Sequence, residues 1–314
     1  MNLKSKKNGH IRVAKSPFGY FGSKHKIALP ILKYLPPHNA WVEAFCGSAA
    51  VTLAKDPAPI EVINDTNSEI INLFSQLRKN SSRLCKLVEL TPYAREELNN
   101  ARLSKKKLSD LERARRFLVS SMMAINGVFG EAQGGFSYSN SYTRNGKEAR
   151  VSRWYNLPKR LEIVVERLKH IRIENQDARH LIKNFINRPA TLIYLDPPYL
   201  GKRSQGYDHD QNDEKFHKEL LELVCKAHCM VMISSYDNNL YSSMLTPELG
   251  WKKVEIVTHT QGSNGKRIIR TEILWLNKPC VEAKKSGISD LLNKKEKELG
   301  KVNPIKMNDH LVSV

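Results

Sequence analysis

The chain has 314 residues, 40% hydrophobic and 26% charged, a balance that fits a globular protein with a full core and excludes a disordered or membrane-embedded chain. No stretch approaches the roughly 20 consecutive apolar residues that a spanning helix needs. The formal net charge of +19 points to a polyanionic partner, because neutralised phosphates supply most non-specific affinity for nucleic acid.

Residues 1–15 carry five Lys/Arg and no acid. They read as a disordered basic arm without the apolar block of a secretory signal. The five cysteines, Cys46, Cys85, Cys225, Cys229 and Cys280, are odd in number and scattered, which predicts reduced thiols in a cytoplasmic setting. "FGYFGSKHKIALPIL" (18–32) leads into a helix through Ser23 and places Lys24 in its first turn. A cation there opposes the helix dipole; it is either a solvated surface lysine or one paired with an acid.

"NAWVEAF" (39–45) and "PIEVIND" (59–65) read as short buried strands, and "SEIINLFSQLRK" (68–79) as a helix capped by Ser68. This alternation predicts a doubly wound α/β sheet. Glu43 ends the first strand, and the small-residue turn Cys46-Gly47-Ser48-Ala49 lets a ligand approach the backbone. Asp65 follows Gly47 near the spacing at which an acid receives ribose hydroxyls in dinucleotide-type folds. The glycines of G-x-G-x-x-G are absent, which argues against a nicotinamide dinucleotide.

Residues 78–172 hold 21 Lys/Arg against 9 Asp/Glu, so the basic excess is concentrated there. Their pattern is helical to about 130, and 126–154 reads as a loop or hairpin rich in Gly, Asn, aromatics and Arg. The helix "LPKRLEIVVERLKH" returns the chain to the strands "IRIENQD" (171–177), "ATLIYLD" (190–196) and "MVMISSYD" (230–237). "KVEIVTHTQ" and "RTEILWLNK" predict an antiparallel closing pair, and the Lys-rich tail a loose helix with a disordered end. "CKAHC" (225–229) lacks a second half-site, so no metal is expected. The expected organisation is a basic arm (1–15), a catalytic α/β domain (16–77 and 173–280), an insert (78–172) and a C-terminal tail (281–314).

Taken in order, "GYFGSK", "VEAFCGSAAV", "VINDTN" and "LIYLDPPY" make residues 16–278 resemble the D12 class of N6-adenine DNA methyltransferases, the Dam-like enzymes. The resemblance implies a Rossmann-like S-adenosylmethionine-dependent methyltransferase sheet with an inserted, mainly helical target-recognition domain. It implies S-adenosylmethionine as cofactor, contacted by Tyr20, Lys24, Glu43, Phe45, Gly47, Asp65, Asp177 and Asp196. Catalysis falls to Asp196, Pro197, Pro198 and Tyr199. Double-stranded DNA is the implied partner, reached through Arg144, Lys147, Arg150 and Arg153 of the insert, Lys202 and Arg203 after the motif, and Lys266 and Arg267 between the last two strands. For Lys202 and Arg203 a plain solvated loop is the competing reading. A separately encoded cognate restriction endonuclease, a monomer or weak dimer, and a prokaryotic or phage-encoded origin belong to the same expectation.

Two departures from the family pattern stand out. The second glycine of F-x-G-x-G is Ala49, tolerable where φ stays negative. The Arg/Asn-containing hairpin that Dam enzymes use on GATC has no match in "VFGEAQGGFSYSNSYTR", so GATC is not the expected target.

The D-P-P-Y turn suits amine methylation for a physical reason. The N6 lone pair of adenine is delocalised into the ring, and fixed acceptors for both N6 hydrogens draw it back onto nitrogen. Asp196 supplies a carboxylate and Pro197 a carbonyl, held in one direction by two residues of fixed φ. Tyr199 offers a stacking surface to a base flipped from the duplex. Taken alone, the motif reads equally as a strand followed by a capped turn. RNA or single-strand adenine methylation is the rival activity, and an inactive sequence-specific DNA-binding protein the rival class.

Overall fold

Short apolar runs alternate with amphipathic stretches, and together they build a seven-stranded sheet covered on both faces. The computed structural model describes residues 14–19, 24–103, 106–125, 127, 134–141, 143–144, 146–200, 213–261, 267–290 and 304–306. Tyr20, Lys202, Arg203 and Lys266 lie outside the described residues, as do the side chains of Arg144 and Arg267.

In chain order, a 3-10 turn at Lys24–Lys26 precedes α1 (Ala28–Leu32), β1 (Ala40–Glu43), α2 (Ala50–Ala54), β2 (Ile60–Asn64) and α3 (Ser68–Lys79). The insert follows: α4 (Ser81–Leu90), α5 (Arg95–Arg102), α6 (Asp110–Met123), the hairpin β3 (Thr143–Arg144) and β4 (Lys147–Glu148), α7 (Ala149–Tyr155) and α8 (Leu157–Leu168). The sheet resumes with β5 (Ile171–Glu174), α9 (Ala178–Lys183), β6 (Thr191–Leu195), α10 (Glu214–Cys225), β7 (Met230–Ser235) and α11 (Asn239–Met244). Then come β8 (Lys252–Gln261), β9 (Arg267–Leu276), α12 (Lys278–Ser286) and the strands β10 (Ile288–Asp290) and β11 (Pro304–Lys306).

The strand order is β5-β2-β1-β6-β7-β9-β8. The first five are parallel, and β9 enters antiparallel between β7 and β8. The predicted closing pair therefore forms. From β1 the chain moves outward to β2, whereas from β6 it moves the opposite way to β7. The order reverses between β1 and β6, the place where open α/β sheets bind ligands beyond the carboxyl ends of their strands.

Strand alternation splits the core. Val42, Ile193 and Leu195 face a layer made by α9, α10 and α11, while Trp41, Leu192 and Tyr194 face α1, α2 and α12. Every side chain of β6 is buried, which fits its unbroken apolar run. The insert shares its core with the outer sheet strands: Phe18, Ile63, Phe74, Phe117, Leu118 and Leu161 belong to one cluster. Phe18 meets Phe117 edge-on at 5.0 Å and Phe74 at 6.3 Å. Arg167 of α8 adds a buried polar tie, binding both carboxylate oxygens of Glu61 and donating to the Thr52 carbonyl at 3.1 Å. Lys55 reaches the same Glu61 at 2.6 Å.

One local expectation changes. The cap of α3 is Asn67, whose side chain accepts from Glu69 N at 3.0 Å, because Ser68 already holds the first helical position. A helix forms where the tail begins, α12 running to Ser286, and the expected disordered end falls largely outside the described residues. Asn277 caps α12 by accepting from Cys280 N at 3.1 Å, and β10 pairs antiparallel with β11. Residues 291–303 and 307–314 lie outside the described residues. All five cysteines are free, and no helix among the described residues is long and apolar enough to cross a membrane.

Candidate active site

The crevice between β1 and β6 is built from strand ends. β1 ends on Glu43, paired in register with Tyr194, and β6 delivers Asp196 one residue beyond its last strand position. Past β1 the chain turns through Cys46–Ala49. Gly47 holds φ +46 and Ala49 φ +52. Gly47 adopts that left-handed conformation without penalty. The condition under which alanine is free of cost there, a negative φ, is not met: Ala49 takes the left-handed conformation as the residue before α2, which costs an L-residue roughly 1–2 kcal/mol. Chain tightness explains this: Ala49 N bonds the Cys46 carbonyl at 2.6 Å while its own carbonyl receives Leu53 N at 2.9 Å.

Asp65, after β2, ties the turn down. One carboxylate oxygen accepts Gly47 N at 2.8 Å and the other accepts Asn67 N at 2.9 Å. Neighbouring Asn64 is buried and staples three strand ends together, donating to Ala44 O at 2.9 Å and Gln176 O at 3.0 Å. Its side-chain oxygen accepts Gln176 N at 3.0 Å. Asp177 caps α9, accepting Arg179 N at 2.7 Å, and forms an ion pair with the Arg179 guanidinium at 2.6 Å. Those hydrogen bonds hold Asp177 below its usual range despite partial burial. Phe45 packs edge-on against Phe216 at 6.2 Å.

Glu43 is buried, and its carboxylate accepts Thr52 N at 3.0 Å and the Thr52 hydroxyl. Burial pushes it up to about 8, the Thr52 bonds pulling the other way. Lys24 is the buried cation of the crevice. Its Nζ lies 2.7 Å from Asp196 Oδ1 and 3.3 Å from Glu272 Oε1, so of the two readings of this lysine the structure shows the paired one. Burial opposes its charge, but the two carboxylates more than offset that and leave its pKa raised. For Asp196 the balance tips the other way: burial lifts it to about 6 against the pull of Lys24, and the Glu272 charge adds to the rise.

Tyr199 is drawn into the same cluster. Its hydroxyl donates to Glu272, its ring lies 4.8 Å from Lys24 Nζ, and Tyr236 meets it at 4.5 Å with ring planes at 66°. Tyr199 is only 9% exposed. Glu272 and Tyr236 belong to no motif read from the sequence. The signal for Glu272 is an inward-facing row on β9, in which Leu276 and Leu274 are followed by a carboxylate rather than a third apolar residue.

Of the basic residues singled out in the insert, Lys147, Arg150 and Arg153 are exposed on β4 and α7, beside Tyr155 at 73% exposure. The backbone of Arg144 lies in β3 and that of Arg267 opens β9. The patch adjoins the segment leading to Lys24: a Cβ on Gly19 would stand 3.6 Å from Arg153 Nη2, and Arg160 donates to Ser16 O at 2.7 Å. No cluster of three or more His, Cys, Asp or Glu suited to a metal occurs among the described residues.

Comparisons with known proteins agree with this layout. The model of the D12 class N6 adenine-specific DNA methyltransferases matches residues 20–259. The chain is 28% identical over 297 residues to the type II methyltransferase M1.LlaDCHI of Lactococcus lactis subsp. cremoris, covering 88% of this chain and 99% of that protein. It is 25% identical over 245 residues to the retron Ec67 DNA adenine methylase of Escherichia coli, covering 71% and 78%. Among solved structures, the rRNA methyltransferase AviRa of Streptomyces viridochromogenes aligns over 88% of this chain and 93% of its own at 13% identity, with a TM-score of 0.35. That score is too low to add to the sheet order itself.

Proposed function

We propose, since this chain belongs to the D12 class of N6 adenine-specific DNA methyltransferases, that it transfers the methyl group of S-adenosylmethionine to the N6 amine of an adenine flipped out of a specific duplex sequence, at Asp196–Tyr199. The observation that carries this reading is the buried Lys24–Asp196–Glu272 cluster at the reversal point of the sheet. One ammonium set against two carboxylates leaves excess negative charge where a cationic sulfonium and an amine would meet.

The residues present fit the cofactor. The turn at Gly47 brings backbone to the crevice, and Asp65 offers carboxylate oxygens at the end of β2. Lys24, Glu43, Phe45 and Asp177 border the same strand ends, and Tyr20 completes the proposed set. Bound there, S-adenosylmethionine supplies a methyl group already activated by its sulfonium. Asp196 and the Pro197 carbonyl would accept the two N6 hydrogens and raise the electron density on nitrogen, so that the N–C bond forms as the methyl–sulfur bond breaks, the electron pair staying on sulfur and one N6 proton passing to water. Pro198 fixes the turn.

Residues 16–77 and 173–280 then form the catalytic part, and 78–172 read the sequence through the Lys147, Arg150 and Arg153 patch, with Arg144, Lys202, Arg203, Lys266 and Arg267 as further phosphate contacts. We place the enzyme in the cytoplasm, as a monomer or weak dimer, alongside a separately encoded endonuclease.

Labelled S-adenosylmethionine with duplex DNA, single-stranded DNA and RNA, followed by mapping of the modified base, tests this reading. N6-methyladenine at one duplex sequence is expected, and Asp196→Ala should lower transfer by about a thousandfold, the loss seen when a fixed charge-stabilising group is removed. Transfer confined to RNA would replace the substrate, and undiminished transfer by Asp196→Ala would overturn the mechanism.

A further inference from the structure

Glu272 lies where β9 outruns its neighbour. The last pair of β7 with β9 is Ser235 with Ile273, so Glu272 stands one residue past it, paired across β8 with the buried Ile256. Its inward direction continues the row of Leu276 and Leu274, which brings the carboxylate over the open end of β7 rather than to solvent. A carboxylate is costly to bury without hydrogen bonds or a counter-charge, and Glu272 has both. It accepts the Tyr199 hydroxyl and lies 3.3 Å from Lys24 Nζ. The two groups it touches are the two that flank Asp196. Lys24 is held at Asp196 Oδ1, while Tyr199 is set by its hydroxyl from one side and by Tyr236 from another.

We infer that Glu272 is a positioning residue for methyl transfer: it fixes the Tyr199 ring and the Lys24 ammonium about Asp196, so that Asp196 meets the amine in one orientation. This inference rests on the reading of Asp196 as the acceptor for N6. Glu272 acts through its neighbours, so its loss strikes the chemical step more than the binding of cofactor or DNA.

Glu272→Ala and Glu272→Gln in the full chain test this, on the duplex sequence mapped for the wild type. Glu272→Ala should lower kcat by about a hundredfold, the scale of loss from a small misplacement of reacting groups, a larger factor than any change in KM for DNA or in the calorimetric affinity for S-adenosylhomocysteine. Glu272→Gln should recover most of kcat, because an amide oxygen still accepts from Tyr199.

The pH profile adds a readout that mere packing would not move. Asp196 faces Lys24 from the 3-10 turn, Glu272 from β9, Glu43 from β1, and Tyr194 and Tyr199 from its own segment. Removing the Glu272 charge eases ionisation of Asp196, so the acid limb of kcat/KM should move to lower pH in Glu272→Gln. A wild-type kcat in Glu272→Ala, a loss of cofactor affinity that matches the loss of kcat, or an unmoved limb in Glu272→Gln would overturn the inference. Where Glu272→Ala fails to melt cooperatively, the glutamine variant alone decides. Full activity of Asp196→Ala would instead defeat the parent reading and leave the Glu272 result separately legible.

Discussion

Two buried ion clusters lie at opposite ends of the parallel sheet, and they use the same side chains to opposite effect. At the start of β2 one carboxylate, Glu61, is shared by two cations, Lys55 and Arg167. Burial would raise Glu61, but the hydrogen bonds of Arg167 and the charge of Lys55 outweigh it and hold the group below its usual range. At the far end one cation, Lys24, is shared by two carboxylates, and there burial wins and lifts Asp196 to about 6. The first cluster is closed, with no exposed surface on the Glu61 side chain; in the second, the Asp196 side chain keeps 17%. The count of partners, more than their identity, decides to which side of its ordinary range each carboxyl is pushed.

The largest effect should come from breaking the closed cluster. Glu61→Ala leaves Lys55 and Arg167 buried without their carboxylate, which should cost about 3–5 kcal/mol, read from urea or thermal unfolding. Transfer per folded molecule should stay near wild type; a specific loss of kcat at full stability would mean the two ends are not separate.

The open cluster should reveal itself through pH. Burial pushes Asp196 up to about 6, so with Asp196 as the acceptor for N6, kcat/KM should fall about tenfold per unit below that value. The sign for stability is the reverse. A carboxyl with a raised folded pKa holds more protons folded than unfolded between its ordinary value and 6, so its own contribution to stability grows as pH falls through that window. Melting curves at matched pH therefore separate the activity limb from acid unfolding, and a limb that tracks melting would remove the distinction between the clusters.

The smallest effect concerns the strain, which also gathers at the open end. Ala49→Gly relieves a left-handed residue at φ +52, but it surrenders a buried methyl and adds unfolded-state freedom, terms of about 0.4–1 kcal/mol each. Its melting temperature should stay within what about 1 kcal/mol would move. A larger gain would show that the strain, and not the charge count alone, sets the open end apart.

What the sequence discloses follows the range of the forces involved. Asp196 and its two prolines stand out through the order of the motifs around them, since alone the turn reads equally as a capped strand end, and Lys24 stands out through the same resemblance, its pairing left open until the fold brings Asp196 to it. Glu272 is only half disclosed: the alternation along β9 marks a carboxylate at an inward position, but only the register of β9 on β7 and β8 carries it to Lys24. The φ of Ala49 is not legible for a related reason, since it is set by closure between β1 and α2 rather than by the residue itself. The shift of the α3 cap from Ser68 to Asn67 is a one-residue competition between two good caps. The start of the tail reads as a loose helix, and α12 is fixed there by an asparagine cap and a few apolar contacts.

Phe18 sits between Phe74 of α3 and Phe117 of α6, a few residues ahead of Lys24. Its position sets a limit on exchange between relatives. A foreign stretch grafted between α3 and β5 would arrive without the Phe117 wall that Phe18 packs against, and the chain leading to Lys24 would lose part of its seat. The unit that packs together is therefore discontinuous: α6 with the residues around Phe18. A transplant of the helices between α3 and β5 has to carry Phe18 with it.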